Sequence, residues 1–192
     1  MNFGLIFFQF LPLLLYIGFE YWKGFKAGIL AAIVGSVFMI GYSYATTGKV
    51  DSFSIGECGL IVFLGFISLK MDNDRYFKFQ PTVLAACFTL VFVYFEFKGT
   101  PILVRYVPQM EKLFNAKDAS PEVQLMIQKL HDPHYLEVMA KLSFAMIFVF
   151  IAHGLVMAYA ALRLTTAQWF MWRLAIYPAL VIVTMVVGTI YA

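Results

Sequence analysis

Residues 70–97 read KMDNDRYFKFQPTVLAACFTLVFVYFEF. Lys70, Asp72, Asp74, Arg75 and Lys78 crowd one hydrophilic turn, and no further charge follows until Glu96. Pro81 suits the first turn of a helix, where its missing N–H has no partner to lose. This stretch reads as the end of one membrane crossing, a turn and the start of the next. Asn73, between two aspartates, suits a tight turn. Tyr76, Phe77 and Phe79 are expected to hold the crossing at headgroup depth. Asp72 and Asp74 resemble a metal pair, but Lys and Arg surround them, so hydration or salt pairing is the expected role.

Working outward, the composition says the same. Of 192 residues, 62% are hydrophobic and only 13% charged, against about 25% charged in an ordinary soluble domain. A soluble fold of this size cannot hide so much apolar surface. The 21 phenylalanines are expected to face acyl chains in large part. A net charge of +3, with its basic residues scattered between apolar runs, suits lipid headgroups and gives no nucleic-acid footprint. Cys58 and Cys87 sit within apolar runs without a CxxC pattern, so both are expected to be buried, inert thiols. The first lysine is Lys23, so the apolar N-terminus lacks the basic start of a signal peptide and is read as retained.

About six membrane segments follow in an all-α, polytopic plan. Residues 3–19 are short and interrupted by Gln9 and Pro12; they either cross where the bilayer thins or re-enter. Glu20 to Lys26, with Tyr21 and Trp22, mark an interface. In the span 25–45, small residues recur every four positions from Gly24 through Gly28 and Ala32 to Ser36, a face on which another helix can approach closely. Residues 53–69 form the third span, with Glu57 about one turn inside its boundary. That carboxylate either reaches the headgroups or serves as a paired, proton-carrying acid.

The 98–138 connection is hydrophilic but carries apolar residues at helical spacing, and is read as amphipathic surface helices. Ser120-Pro121-Glu122 and Asp132-Pro133 are helix starts. The second start is expected to run straight into the span 139–162. His153 lies near the middle of that span, among Gly154, Ala158 and Ala161. A lone membrane histidine more often makes a packing or backbone bond than holds a cofactor. In the last span, 168–191, Trp169, Trp172 and Tyr191 form an aromatic belt, Arg173 snorkels to the interface, and Pro178 is expected to kink the helix. Six crossings would leave seven basic residues on each side, so the positive-inside rule gives no orientation.

The stretch Asp72 to Leu84 resembles the bacterial intracellular septation protein A family. Members carry an acidic turn, an aromatic-Lys-aromatic element and then Lys-Pro-Thr. Asp72, Asp74, Lys78, Phe79, Pro81 and Thr82 fit this pattern, whereas Gln80 stands where the lysine is usual. Phe10-Leu11-Pro12 and the Trp169–Tyr191 span are similar to the family's first and last segments. The resemblance implies a small bacterial inner-membrane protein with a role in septation and envelope integrity, without established catalytic residues. It implies division or cell-wall elongation proteins as partners, and puts the 46–52 turn and the long connection in the cytoplasm.

The chain is therefore expected to be one integral membrane domain over 1–192, with no enzyme activity, metal or cofactor. Its expected partners are membrane lipids, envelope-synthesis proteins held by scaffolding, and further copies of itself. The alternative is a small transporter, flippase or lipid-handling protein working through Glu57, His153 and Arg173. An enzyme or electron carrier would need a nucleophile–base pair, ligand pairs or a nucleotide loop, and the sequence contains none of these patterns.

Overall fold

Every described element is a helix. The structure, a computed structural model, describes residues 10–108 and 132–191. The elements are α1 (Leu11–Lys23), α2 (Phe25–Thr47), α3 (Ser52–Lys70), α4 (Arg75–Lys78), α5 (Gln80–Phe97), α6 (Ile102–Arg105), α7 (Pro133–Arg163) and α8 (Thr166–Tyr191). Five stretches are long and apolar enough to cross a membrane: Phe25–Thr46, Ser52–Lys70, Arg75–Phe97, Pro133–Arg163 and Thr166–Val186. The third joins α4 and α5, with Pro81 in the opening turn of α5 as its chemistry requires.

Local signals set the ends. Asp51 caps α3, its carboxylate accepting from Ser54 N at 2.8 Å and from the Ser54 hydroxyl. Gly48 closes α2 with a left-handed φ of 67°. Asp132 Oδ1 accepts from His134 N at 2.9 Å at the head of α7. From Pro133, α7 runs 31 residues without a break, as the sequence predicts. α8 likewise continues through Pro178.

The chain forms two compact units, Met1–Pro81 with Met157–Met171, and Thr82–Val156 with Trp172–Ala192. In the first, α2 lies against α1. A Cβ on Gly28 would come within 2.6 Å of the Tyr16 carbonyl, and one on Gly35 within 2.7 Å of Leu15. Ala32 is fully buried and Ser36 nearly so. Gly24 is the exception. It falls between α1 and α2 with φ 88°, a conformation open to glycine, and so makes the link rather than the packing face. α3 reaches α2 at Gly65, which faces Ile29 and Ile33.

In the second unit, α5 packs against α7. Gly154 admits Ala85, and Thr82 Oγ1 donates to Gly154 O at 3.4 Å. Phe88 stacks on Phe150 at 5.1 Å, and Phe92 meets the same ring edge-on. Ile102 and Ile147 complete that core. Val107 packs with Met139 beside Leu103 and Leu136, so the start of the long connection folds onto the start of α7. The outward faces are rich in phenylalanine: Phe38, Phe63, Phe66, Phe144 and Phe148 are exposed from the protein, the arrangement expected of a surface that lipid covers. Cys87 corrects the expectation of two buried thiols. It stands two residues, or about 200° of helix, beyond inward-facing Ala85, and is exposed.

The first segment is described only from residue 10, and α1 proper has 13 residues. The proposed surface helices of the 98–138 connection fall largely on 109–131, outside the described residues.

Candidate functional site: the latched turn at 68–82

The family-like patch lies in the first unit as far as Pro81, with Thr82 opening the second, and its polar groups close on the chain itself. α3 ends at Lys70, and the backbone reverses through Asp72, which takes a left-handed φ of 52°. Asn73 N donates back to Ser68 O at 3.0 Å, and Asn73 Oδ1 accepts from Arg75 N at 3.0 Å. The side-chain bond imitates a backbone turn, a role that asparagine fills readily. Ser68, itself fully buried, accepts from Phe77 N at 2.7 Å. This ties α4 to the end of α3 through an N–H that no helical partner serves.

α4 then turns its inner face away from solvent. Phe77 and Lys78 are 2% and 5% exposed. Phe77 therefore does not sit at the headgroups as an anchor; its ring packs on Tyr16 of α1 at 4.6 Å. Tyr76, by contrast, remains exposed from the protein. Lys78 pairs with Asp74 one turn back, which makes its burial affordable, since a buried ammonium without a partner is costly. The Lys78 carbonyl accepts from Trp169 Nε1 at 3.1 Å. Trp169 is fully buried and meets Tyr16 edge-on at 6.2 Å. It does not belong to an aromatic belt: a buried indole needs an acceptor, and the end of α4 supplies one. Beside it, Thr166 donates to Glu20 of α1.

The outer carboxylate behaves differently. Asp72 pairs with Lys26 at 2.7 Å, but both side chains are well exposed, so this bond adds little. Gln80 is 2% exposed, and its Nε2 lies 3.5 Å from Glu57 Oε1. Glu57 is half-buried and belongs to this unit. His153 and Arg173 belong to the second. Among the described residues no three His, Cys, Asp or Glu side chains gather as a metal site.

Sequence reasoning finds the patch but not its depth. Tyr16, Glu20, Ser68, Thr166 and Trp169 were not expected in it. The available signal was spacing: Tyr16 and Glu20 stand four apart and Thr166 and Trp169 three apart, so each pair shares a helix face.

Five apolar crossings, polar groups spent on tying helices together and outward faces left apolar define a multi-pass α-helical membrane protein. Residues 5–192 match the family described as Intracellular septation protein A, and the chain belongs to that family. Its role is thus a non-enzymatic one, in the inner membrane, linked to septation and the cell envelope. The chain is similar to proteins called Inner membrane-spanning protein YciB. It is 27% identical to that of Hydrogenovibrio crunogenus over 170 residues, covering 88% of this chain and 70% of the relative. It is 26% identical to that of Herminiimonas arsenicoxydans, covering 74% and 60%, and 23% identical to that of Salmonella paratyphi B, covering 96% and 92%. No solved structure matches significantly.

Proposed function

We propose that the chain acts as a scaffold, one integral membrane domain that holds division or cell-wall elongation proteins at the inner membrane through its helix faces and its 98–138 connection. Residues 3–19 serve as a sixth membrane segment in this reading, and further copies of the chain associate with it. The observation that carries the reading is the latch. Lys78, the Trp169 indole and the buried Ser68 hydroxyl all bond within the chain, which suits a fixed platform better than a path for a solute. The competing transporter or lipid-handling reading needs Glu57, His153 and Arg173 to serve one polar route.

The test is proximity labelling from the chain in living cells, together with purification in mild detergent and deletion of the gene. Envelope-synthesis proteins among the labelled partners, with a division or elongation defect on deletion, support the scaffold. Recovery of the chain alone, with normal division on deletion, contradicts it. Transport or lipid scrambling by the purified chain in vesicles, abolished by Glu57→Gln, would move the assignment to the second reading.

A further inference from the structure

The facing stripes of α5 and α7 continue past their aromatic core to a polar level. On α5 the inward positions step from Ala85 through Phe88 and Phe92, and the next is Glu96. On α7 the opposing positions step back from Gly154 through Phe150 and Ile147, and the next is Ser143. Antiparallel packing with this register brings Glu96 and Ser143 to the same level.

Both carry an unserved oxygen. Glu96 Oε2 and Ser143 Oγ are buried without a hydrogen-bond partner, and Ser143 is 1% exposed. Four other helical hydroxyls fold back onto their own helix, Ser36 on Ile33 O, Thr46 on Tyr42 O, Thr89 on Ala85 O and Thr184 on Leu180 O, and others, such as Thr82 and Thr166, bond across to another helix. Ser143 does neither.

Glu96 also places its carboxyl group in the last turn of its helix, the end where the helix dipole favours cations, and α5 has no basic residue in that turn. The nearest cations along the chain are engaged with rings, Lys98 over Tyr94 at 4.9 Å and Arg105 over Phe95 at 5.0 Å. The C-terminal carbonyls of α5 are already served by Lys98, Gly99 and Thr100 N–H groups. What remains among the described residues is one buried carboxyl oxygen and one buried hydroxyl without a hydrogen-bond partner.

We propose that Glu96 and Ser143 form a binding site for a single alkali cation between α5 and α7. Oxygen-only donors suit a hard ion. A divalent ion such as calcium takes about six to eight oxygens, usually with several carboxylates, whereas one carboxylate balances one positive charge. Burial of Glu96 Oε2 excludes the larger ammonium headgroups of lipids. Occupancy would fix the spacing of the two helices where the long connection leaves the membrane.

The test follows thermal unfolding of the purified full chain in detergent by tryptophan fluorescence. Choline chloride is replaced by NaCl or KCl at constant ionic strength. A saturable rise in Tm with either ion is expected. It should disappear in Glu96→Gln and require about tenfold more ion in Ser143→Ala, the loss of one charge-assisted oxygen contact. Sodium-23 line broadening by the wild-type chain, reversed by added potassium, reads the same site without any variant. Equal Tm in all three salts, or an ion effect retained in Glu96→Gln, overturns the proposal. So does a Glu96-dependent shift that follows pH alone, which would assign the charge balance to a proton.

Discussion

Trp169 shows what one residue contributes. Its indole N–H bonds to a buried carbonyl at the end of α4, and Trp169→Phe keeps the ring packing while leaving that carbonyl unserved. The expected loss is about 1–3 kcal/mol, read as a lower melting temperature in detergent. Gly28→Ala acts through space instead. Its new methyl would meet the Tyr16 backbone carbonyl at 2.6 Å, and the helices must part, at a cost of about 1–3 kcal/mol. Gly48 has open surroundings but a left-handed φ, so its alanine variant is strained by conformation alone. At Asp51, the Ser54 hydroxyl and backbone N–H hold the carboxyl below its ordinary range. A folded-state pKa lowered in this way stabilises above the unfolded value of about 3.9 and is lost as pH falls through the folded value. Asp51→Ala should therefore cost about 0.5–1 kcal/mol near neutrality, and the gap to wild type should close in acid, as melts at pH 7 and pH 3 would show.

At the scale of elements, the two ion pairs of the 71–79 turn have unequal weight. Lys26–Asp72 is exposed, and a double-mutant cycle on it should give under about 0.5 kcal/mol, fading in salt. Lys78–Asp74 is largely enclosed, and its cycle should give a larger coupling that salt screens less. The contrast measures which carboxylate latches the turn. The sequence made the turn itself readable, since asparagine, flanking charges and a first-turn proline all act locally. It made α7 readable for the same reason, through Asp132-Pro133. Burial of Phe77, Lys78 and Trp169 was not readable, because it depends on α1 and α8, which are far away along the chain. A tryptophan near a span boundary and a tryptophan bonded to a distant carbonyl look identical in one dimension. Gly24 fits the four-residue ladder by number, yet its positive φ places it outside the helix.

For the molecule as a whole, the exposed phenylalanines and the five apolar crossings answer one another: the outer faces gain from lipid what a soluble chain would have to bury. The polar residues are few, and in the family-like patch Lys78 pairs within the first unit while Thr82 bonds α7 within the second. The most direct test labels single cysteines in intact membranes with a small maleimide, in a background where Cys58 and Cys87 are serine. Asp72→Cys and Tyr76→Cys should react fast, while Phe77→Cys and Gln80→Cys should stay protected until the protein is denatured. Comparable labelling of all four in folded protein would mean that the patch faces outward, and would contradict the latch on which the account rests.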